Sequence, residues 1–426
     1  MKKTLLTCIT AIMALPMLAQ YDGPGFYRIQ NRGEAGRYIS VQNDKVSEES
    51  KSISLSSGKA VNTAIEALQL VKSREGNAGT ILYISGNTSG FTIEAQGMNT
   101  QKLLNDLKKG DLKLQMSSQD ELFATYQGMQ IDLIDYCYDY PLKRDGFCGV
   151  ATLNYIRQLE SEYKVYAKWV FRKIDNENEY FGVNPNEGIK IGNKYYTTLF
   201  TGFAYQLSEG MKAYYIDQHN YSSTIAEPIA ELKEITDGIV PAATPVIIEC
   251  SSNDVANNKV TLLNDDLNPI TGNQLKGRVF CYIPTEKEDQ SMKNALEFNK
   301  NTMRILGLKD IKRGEQGEII DAKLALVSEA NNNYTNTQAL NKGYIPANKA
   351  YLPISSSDAA ATSDGITLLL PDEYAIAASI SKVTSEDSFN DNGIYTLTGI
   401  KVKEGVSTEK LPSGIYIIGG KKHIIK

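Results

Sequence analysis

The chain has 426 residues, 42% apolar and 22% charged, with a formal charge of −5. That composition suits folded globular material with room for two cores and a small terminal module. Its mild acidity gives no footing for a nucleic-acid partner. Beyond the N-terminus no stretch approaches about 18 uninterrupted apolar residues, so no transmembrane segment is expected.

Residues 1–20 read as a secretory signal peptide. Lys2 and Lys3 form a basic start, Leu5 to Leu18 an apolar run too short to span a bilayer, and Leu18-Ala19-Gln20 a cleavage site. Cys8 lies inside the apolar run rather than after it, which argues against a lipid anchor. Removing Lys2 and Lys3 with no acid takes the formal charge of −5 to −7 in the mature chain.

Residues 21–185 form the first expected domain. Phe26-Tyr-Arg-Ile-Gln-Asn31 then Gly36-Arg-Tyr-Ile-Ser-Val41 reads as strand, turn, strand. Thr80-Ile-Leu-Tyr-Ile84 with Gly90-Phe-Thr-Ile-Glu-Ala95 repeats the scheme. So does Tyr166-Ala-Lys-Trp-Val-Phe171 with Asn178-Glu-Tyr-Phe-Gly-Val183. Three paired-strand units that cannot bury an apolar face alone predict a β-trefoil-like domain. The opening of the first unit resembles ricin-B-like lectin lobes. The Gln-x-Trp element of those lobes does not occur here, so the likeness assigns no sugar-contacting residue.

The period changes at about 116–163. Ser118-Gln-Asp-Glu121 has the capping-box pattern, and Leu122, Phe123, Tyr126 and Met129 follow at helical spacing. Val150, Leu153, Ile156, Leu159 and Tyr163 fall on one face of a second helix. An α-helical hairpin is therefore expected as an insertion, joined through Asp139-Tyr-Pro-Leu-Lys-Arg-Asp-Gly146.

Residues 186–356 are expected to form a β-sandwich. Lys194-Tyr-Tyr-Thr-Thr-Leu-Phe200, Met211-Lys-Ala-Tyr-Tyr-Ile216 and Val246-Ile-Ile-Glu249 are its clearest strands. Val240-Pro-Ala-Ala-Thr-Pro-Val-Ile-Ile248 echoes Ile345-Pro-Ala-Asn-Lys-Ala-Tyr-Leu-Pro-Ile354, each placing proline before a short apolar strand. The tract from Tyr180 to Cys250 resembles a module recurring in Bacteroidetes surface proteins, which implies an extracellular structural or adhesive part. Glu286 to Leu306 fits helix and strand equally well.

Ser355-Ser-Ser-Asp-Ala-Ala-Ala-Thr-Ser-Asp364 reads as a linker by composition, and 357–392 as a linker carrying one candidate strand, Gly365-Ile-Thr-Leu-Leu-Leu370. Ser385 to Asn392 reads as a second spacer. The last 34 residues, 393–426, form a hairpin module. With Gly419-Gly420 as the turn, Ile415 falls opposite Ile424 and Tyr416 opposite His423. Gly393-Ile-Tyr-Thr-Leu-Thr-Gly-Ile-Lys401 with Leu411-Pro-Ser-Gly-Ile-Tyr-Ile-Ile resembles the C-terminal, type IX-like sorting domains of Bacteroidetes secreted and surface proteins. The resemblance implies that export and surface-attachment machinery is a partner of 393–426.

Candidate chemistry is sparse. Four mature cysteines, Cys137, Cys148, Cys250 and Cys281, allow three pairings. Cys137–Cys148 with Cys250–Cys281 keeps each bridge within one domain, and buried free thiols are the alternative. The only histidines are His219 and His423. A thiol hydrolase would need Cys148, in Gly146-Phe-Cys-Gly149, to meet His219. A glycosidase would need facing carboxylates, and Asp132, Asp135 and Asp139 are the densest acidic group. Asn264-Asp-Asp266 could touch a cation, yet no zinc, calcium or nucleotide motif is present, so no metal or cofactor is assigned. The reading is an exported, non-enzymatic surface protein with a recognition or adhesion role toward an extracellular glycan or protein. The alternatives are a secreted hydrolase and a purely structural envelope protein. No residue is assigned to a site.

Overall fold

The computed structural model describes residues 21–33, 37–45, 62–99, 114–126, 129–135, 147–186, 188–221, 227–286, 288–328, 343–386, 393–397, 399–404, 411–418 and 421–425. The expected signal segment 1–20, Cys137, residues 139–146 expected to join the two helices, and Gly419-Gly420, the expected turn, lie outside them. The protein is mainly β, built from several sheets.

The first sheet comprises β1 (Gly25–Asn31), β2 (Tyr38–Val41), β3 (Asn62–Val71), β4 (Leu82–Asn87), β5 (Gly90–Ala95) and β6 (Met98–Asn99). It continues with β7 (Gln115–Met116), β8 (Leu122–Tyr126), β9 (Met129–Asp135), β10 (Phe147–Thr152) and β11 (Trp169–Lys173). The order is β6-β5-β4-β1-β2-β3-β10-β9-β8-β7, with β11 also on β1. The far edge returns to β5 and the turn before it, where Phe91 N–H donates to Leu114 O (2.8 Å) and Met116 N–H to Thr88 O (3.0 Å). The curled sheet encloses Tyr27, Ile29, Leu82, Ile84, Phe91, Ile93, Ile131, Leu133, Cys148, Trp169 and Phe171. Each large apolar side chain so enclosed stabilises by about 1.5–3 kcal/mol before ordering entropy is charged against it. Trp169 is fully buried and its indole N–H donates to Leu133 O (3.1 Å), which settles its polar end as well.

The first two expected strand pairs form, β1 with β2 through Gln30↔Tyr38 and β4 with β5 over Leu82↔Ala95 to Asn87↔Gly90. The third does not. β11 pairs with β1, whereas β12 (Phe181–Gly182) crosses the expected boundary at 185 and joins β20 (Lys259–Leu263) in the next sheet.

The helical hairpin expected at 116–163 is a correction. β8 and β9 form a tight β-hairpin and β10 pairs with β9, leaving among the described residues of this tract one short helix, α1 (Leu153–Gln158), and a 3-10 segment, Tyr163–Ala167. The competing period explains the change. Leu122 and Ala124 point to the core, as do Ile131 and Leu133, so alternation by two prevails over spacing by three. Ser117 takes the capping role, its hydroxyl accepting from Glu121 N–H (3.2 Å), but it closes a turn; Asp120 has φ 64°, which no helix continues.

A small sheet orders β12-β20-β15-β18, with β15 at Ala204–Leu207 and β18 at Ile239–Val240. The large second sheet orders β13 (Lys190–Ile191), β14 (Lys194–Leu199), β19 (Val246–Cys250), β16 (Lys212–Asn220), β17 (Ile229–Glu234) and β27 (Ile366–Leu369). It continues through β24 (Ile319–Val327), β23 (Met303–Arg313), β26 (Lys349–Pro353) and β21 (Lys276–Arg278). β22 (Leu296–Glu297) pairs with β25 (Tyr344–Ile345). The tract 286–306 thus carries a 3-10 turn and strands rather than an α-helix. Alternation lets β19 serve two cores: Val246 and Ile248 face the small sheet, while Ile247 faces the opposite layer with Leu306, Leu308, Leu326 and Leu352. β26 comes beside β14, where Phe200 N–H donates to Asn348 O (3.0 Å) and Ala350 N–H to Thr198 Oγ1 (3.1 Å). The large sheet therefore curls back on itself around this third core.

The two halves are joined by buried contacts. Arg28, fully buried, donates to Glu179 Oε2 (3.1 Å), Thr80 Oγ1 (2.9 Å) and Tyr180 O (2.8 Å), while Ala78 and Ile81 enter the second core. Gly202 lies so close to Gln96 that a Cβ there would sit 2.1 Å from a backbone carbon.

The expected 355–364 linker is also corrected. It is a folded loop with a 3-10 turn at Ser356–Asp358 and a fully buried Thr362. β27 follows as expected and adds parallel to β17. Part of the second expected spacer is helical, since α2 runs Pro371–Glu386; 387–392 lie outside the described residues. The terminal sheet orders β29 (Lys401–Glu404), β28 (Gly393–Thr396), β30 (Gly414–Ile418) and β31 (Lys421–Ile425). Ile415 pairs with Ile424 and Tyr416 with His423, the expected register. Among the described residues, no helix is long and apolar enough to cross a membrane.

Cys148, Cys250 and Cys281 are free thiols, which rules out the Cys250–Cys281 bridge here. Cys148 and Cys250 pack as small apolar groups in the first and second cores. Beside Cys250 sits Tyr205, 1% exposed, whose hydroxyl finds no partner among the described residues. Tyr205→Phe deletes that uncompensated oxygen and is expected to raise stability by about 1 kcal/mol in urea unfolding.

Candidate functional site

A cleft of about 620 Å³ runs along β23 toward the 355–364 loop. β23 carries it because alternation sends Leu306 and Leu308 into the third core and Ile305 into a separate cluster with Val327 and Ile345. The β23–β24 register breaks between Lys309 and Lys312, and Asp310 there has φ 54°. Such a bulge re-aims side chains that regular pleating would stack.

Glu227 organises this end. Its carboxylate meets Lys309 Nζ (2.7 Å) and Lys323 Nζ (3.2 Å) and accepts the Thr367 hydroxyl. Burial works against the charge, but the bonds from Lys309, Thr367 and Lys323 prevail and hold the carboxyl down to about 2. Lys323 also pairs with Asp310 (2.8 Å).

Arg304 supports the other end. Its side chain is fully buried, and each of its five N–H donors meets an oxygen. Nε donates to Thr362 O (3.1 Å). Nη1 donates to Lys300 O (2.5 Å) and Met303 O (2.8 Å). Nη2 donates to Ala359 O (2.9 Å) and Thr362 Oγ1 (2.5 Å). Among the described residues no carboxylate pairs with it. Burial lowers its pKa from the usual value, partly offset by Tyr221, and a guanidinium stays charged regardless. Thr362 passes the chain on by donating to Asp358 O (2.8 Å), and Ser328 Oγ donates to Ser363 O (2.9 Å). The loop that composition marks as a linker is thus pinned to β23 and β24. The cleft wall includes Asn301, Ser363, Asp364, Lys309 and Asp310, which supply both donors and acceptors.

Close to this loop, His219 stacks on Tyr221 with ring centroids 4.3 Å apart. Burial lowers the His219 pKa and Asp358 partly opposes that. A second polar cluster lies on β14, β16 and β19, where Tyr196 and Tyr214 hydroxyls donate to Glu249 Oε2 (3.1 and 3.4 Å) and Lys194 pairs with Oε1 (3.1 Å).

The sequence candidates are not brought together. Cys148 is buried in the first core, its thiol pushed up by burial and then by Asp135, while His219 lies on β16 of the second sheet. Asp132 and Asp135 are buried on opposite faces of β9, with Asp135 paired to Arg37 (3.5 Å); Asp139 lies outside the described residues. Asp265 and Asp266 are exposed, and among the described residues no group of acids, histidines or cysteines could hold a metal ion. Arg304, Lys309 and Glu227 carried no motif. The one local signal was Ser355 three residues before Asp358, a side-chain-closed turn in which Ser355 Oγ donates to Asp358 Oδ2 (2.5 Å).

No family model, no curated protein and no solved structure matches this chain.

Proposed function

We propose that this is an exported, non-enzymatic surface protein of the Bacteroidetes type, which recognises an extracellular glycan or protein ligand through the β23 cleft. Residues 1–20 direct export and 393–426 act as a type IX-like sorting module. The curled first sheet is a β-trefoil-like unit, in which the third lobe has given one strand to its neighbour, and the second half is an elaborated β-sandwich. The observation that carries the recognition reading is the cleft itself. Its volume falls in the range of ligand sites, and one end of its polar rim stands on the buried, fully bonded Arg304. The donors and acceptors along its wall suit a hydroxyl-rich ligand.

A glycan and matrix-protein array tests this. The purified protein should bind one related group of ligands saturably, and Asp364→Ala should weaken that binding about tenfold or more by losing one charge-assisted hydrogen bond. A blank array, or a hit indifferent to Asp364, would leave the cleft without a role. Deleting 393–426 should abolish surface display while leaving the ligand affinity unchanged, as judged by surface labelling and titration; unaltered display would remove the sorting reading.

A further inference from the structure

Outside the cleft, one carboxyl occupies an unusual place. Asp132 lies in β9, 1% exposed, between Gln130 and Ile134 on the face that points away from the first core. That face is apolar: Ile134, Ala151, Ile156 and Ala167 form a cluster there, lidded by α1 and the Tyr163–Ala167 segment. Gln130 Nε2 donates to Asp132 Oδ1 (2.7 Å), but Oδ2 is buried with no partner among the described residues.

The charged surroundings give the group no compensation. From β8's side Glu121 bears on it with like charge, its carboxylate bonded to Ser117 Oγ (2.9 Å). From β10 the opposing residue is Ala151. α1 carries Arg157, which is exposed, and the 3-10 segment carries Lys164 and the tyrosines 163 and 166. The Arg37–Asp135 pair serves the opposite face. Among the described residues no cation pairs with Asp132.

We propose that Asp132 makes the α1 cover a proton-operated flap, seated when the carboxyl is protonated and loosened when it is ionised. Six residues of helix are too few to persist unaided, so α1 depends on the apolar face it covers. Its cap, Tyr155 N–H to Thr152 Oγ1 (3.3 Å), fixes where it starts but not whether it stays down. Burial first, then Glu121, raise the carboxyl to about 6 against the Gln130 bond. The sign follows from a raised folded pKa in an acid: ionisation is disfavoured while the flap is shut. The closed state is therefore favoured fully below about pH 3.8, and the preference fades as pH rises through about 6.

Amide hydrogen exchange of residues 153–168 in the full chain, corrected for intrinsic rates, is the test. Between pH 5 and 7.5 the corrected rate should rise about tenfold, while β14 and β19 stay level. In Asp132→Asn, which keeps the shape and never ionises, the rise should vanish. A flat wild-type profile would overturn the proposal, even if the variant failed to fold. So would an equal rise in Asp132→Asn, or a parallel rise in β14 and β19.

Discussion

Arg304→Ala is expected to lower the unfolding free energy by about 3–5 kcal/mol, with loss of binding at the cleft. The substitution leaves the carbonyls of Lys300, Met303, Ala359 and Thr362 without their donor, that of Thr362 in a fully buried bond and the other three in partly buried ones. Each stranded acceptor costs about 1–3 kcal/mol, less what relaxation of the 355–364 loop recovers. Arg304→Lys keeps the charge but supplies three donors in place of five, so it should fall between wild type and Arg304→Ala. Urea unfolding of the three proteins checks the order. Equal midpoints would mean that the loop is not held by this residue.

Lys349→Met is expected to work in the opposite direction, stabilising the protein by roughly 1–3 kcal/mol at pH 7. Lys349 lies where β26 meets β14, and its amine donates to Thr197 Oγ1 (2.6 Å) and Thr198 O (3.2 Å). Both partners are neutral, and among the described residues no carboxylate pairs with it. Burial, only slightly offset by Cys250, lowers the amine from 10.5 to about 8. A depressed lysine is a penalty on folding while it is charged. The penalty is full below about pH 8, shrinks as pH rises toward 10.5, and is then gone. The stability difference between wild type and Lys349→Met should therefore close between pH 8 and 10.5. A constant difference across that range would show that the amine titrates normally.

The parts legible in the sequence are those governed by strict alternation next to glycine turns. The terminal ribbon is the clearest, because Ile415, Ile424, Tyr416 and His423 admit one register about a two-residue turn. β14, β16 and β19 were legible for the same reason. The 116–163 tract misled because Leu122, Tyr126 and Met129 satisfy a helical spacing as well as two short strands, and only the core behind Leu122 and Ala124 decides between them. The 355–364 loop misled because its order comes from outside. Small residues such as Ala359 and Thr362 bring carbonyls and one hydroxyl to an arginine more than 50 positions away, and composition carries no trace of that. Glu227 and Lys309 are likewise remote in sequence and adjacent only through β17, β27, β24 and β23. The cleft was for this reason invisible, whereas the absence of a Cys148–His219 arrangement follows from sheet membership that no local pattern encodes.

The most direct measurement is saturation binding of the array's best ligand to wild type, Asp364→Ala and Tyr205→Phe. Wild type and Tyr205→Phe should share one affinity, since Tyr205 lies in the second core and away from the cleft, while Asp364→Ala falls by about tenfold. Equal affinity in all three, or a ligand that binds without saturating, would contradict recognition at the β23 cleft.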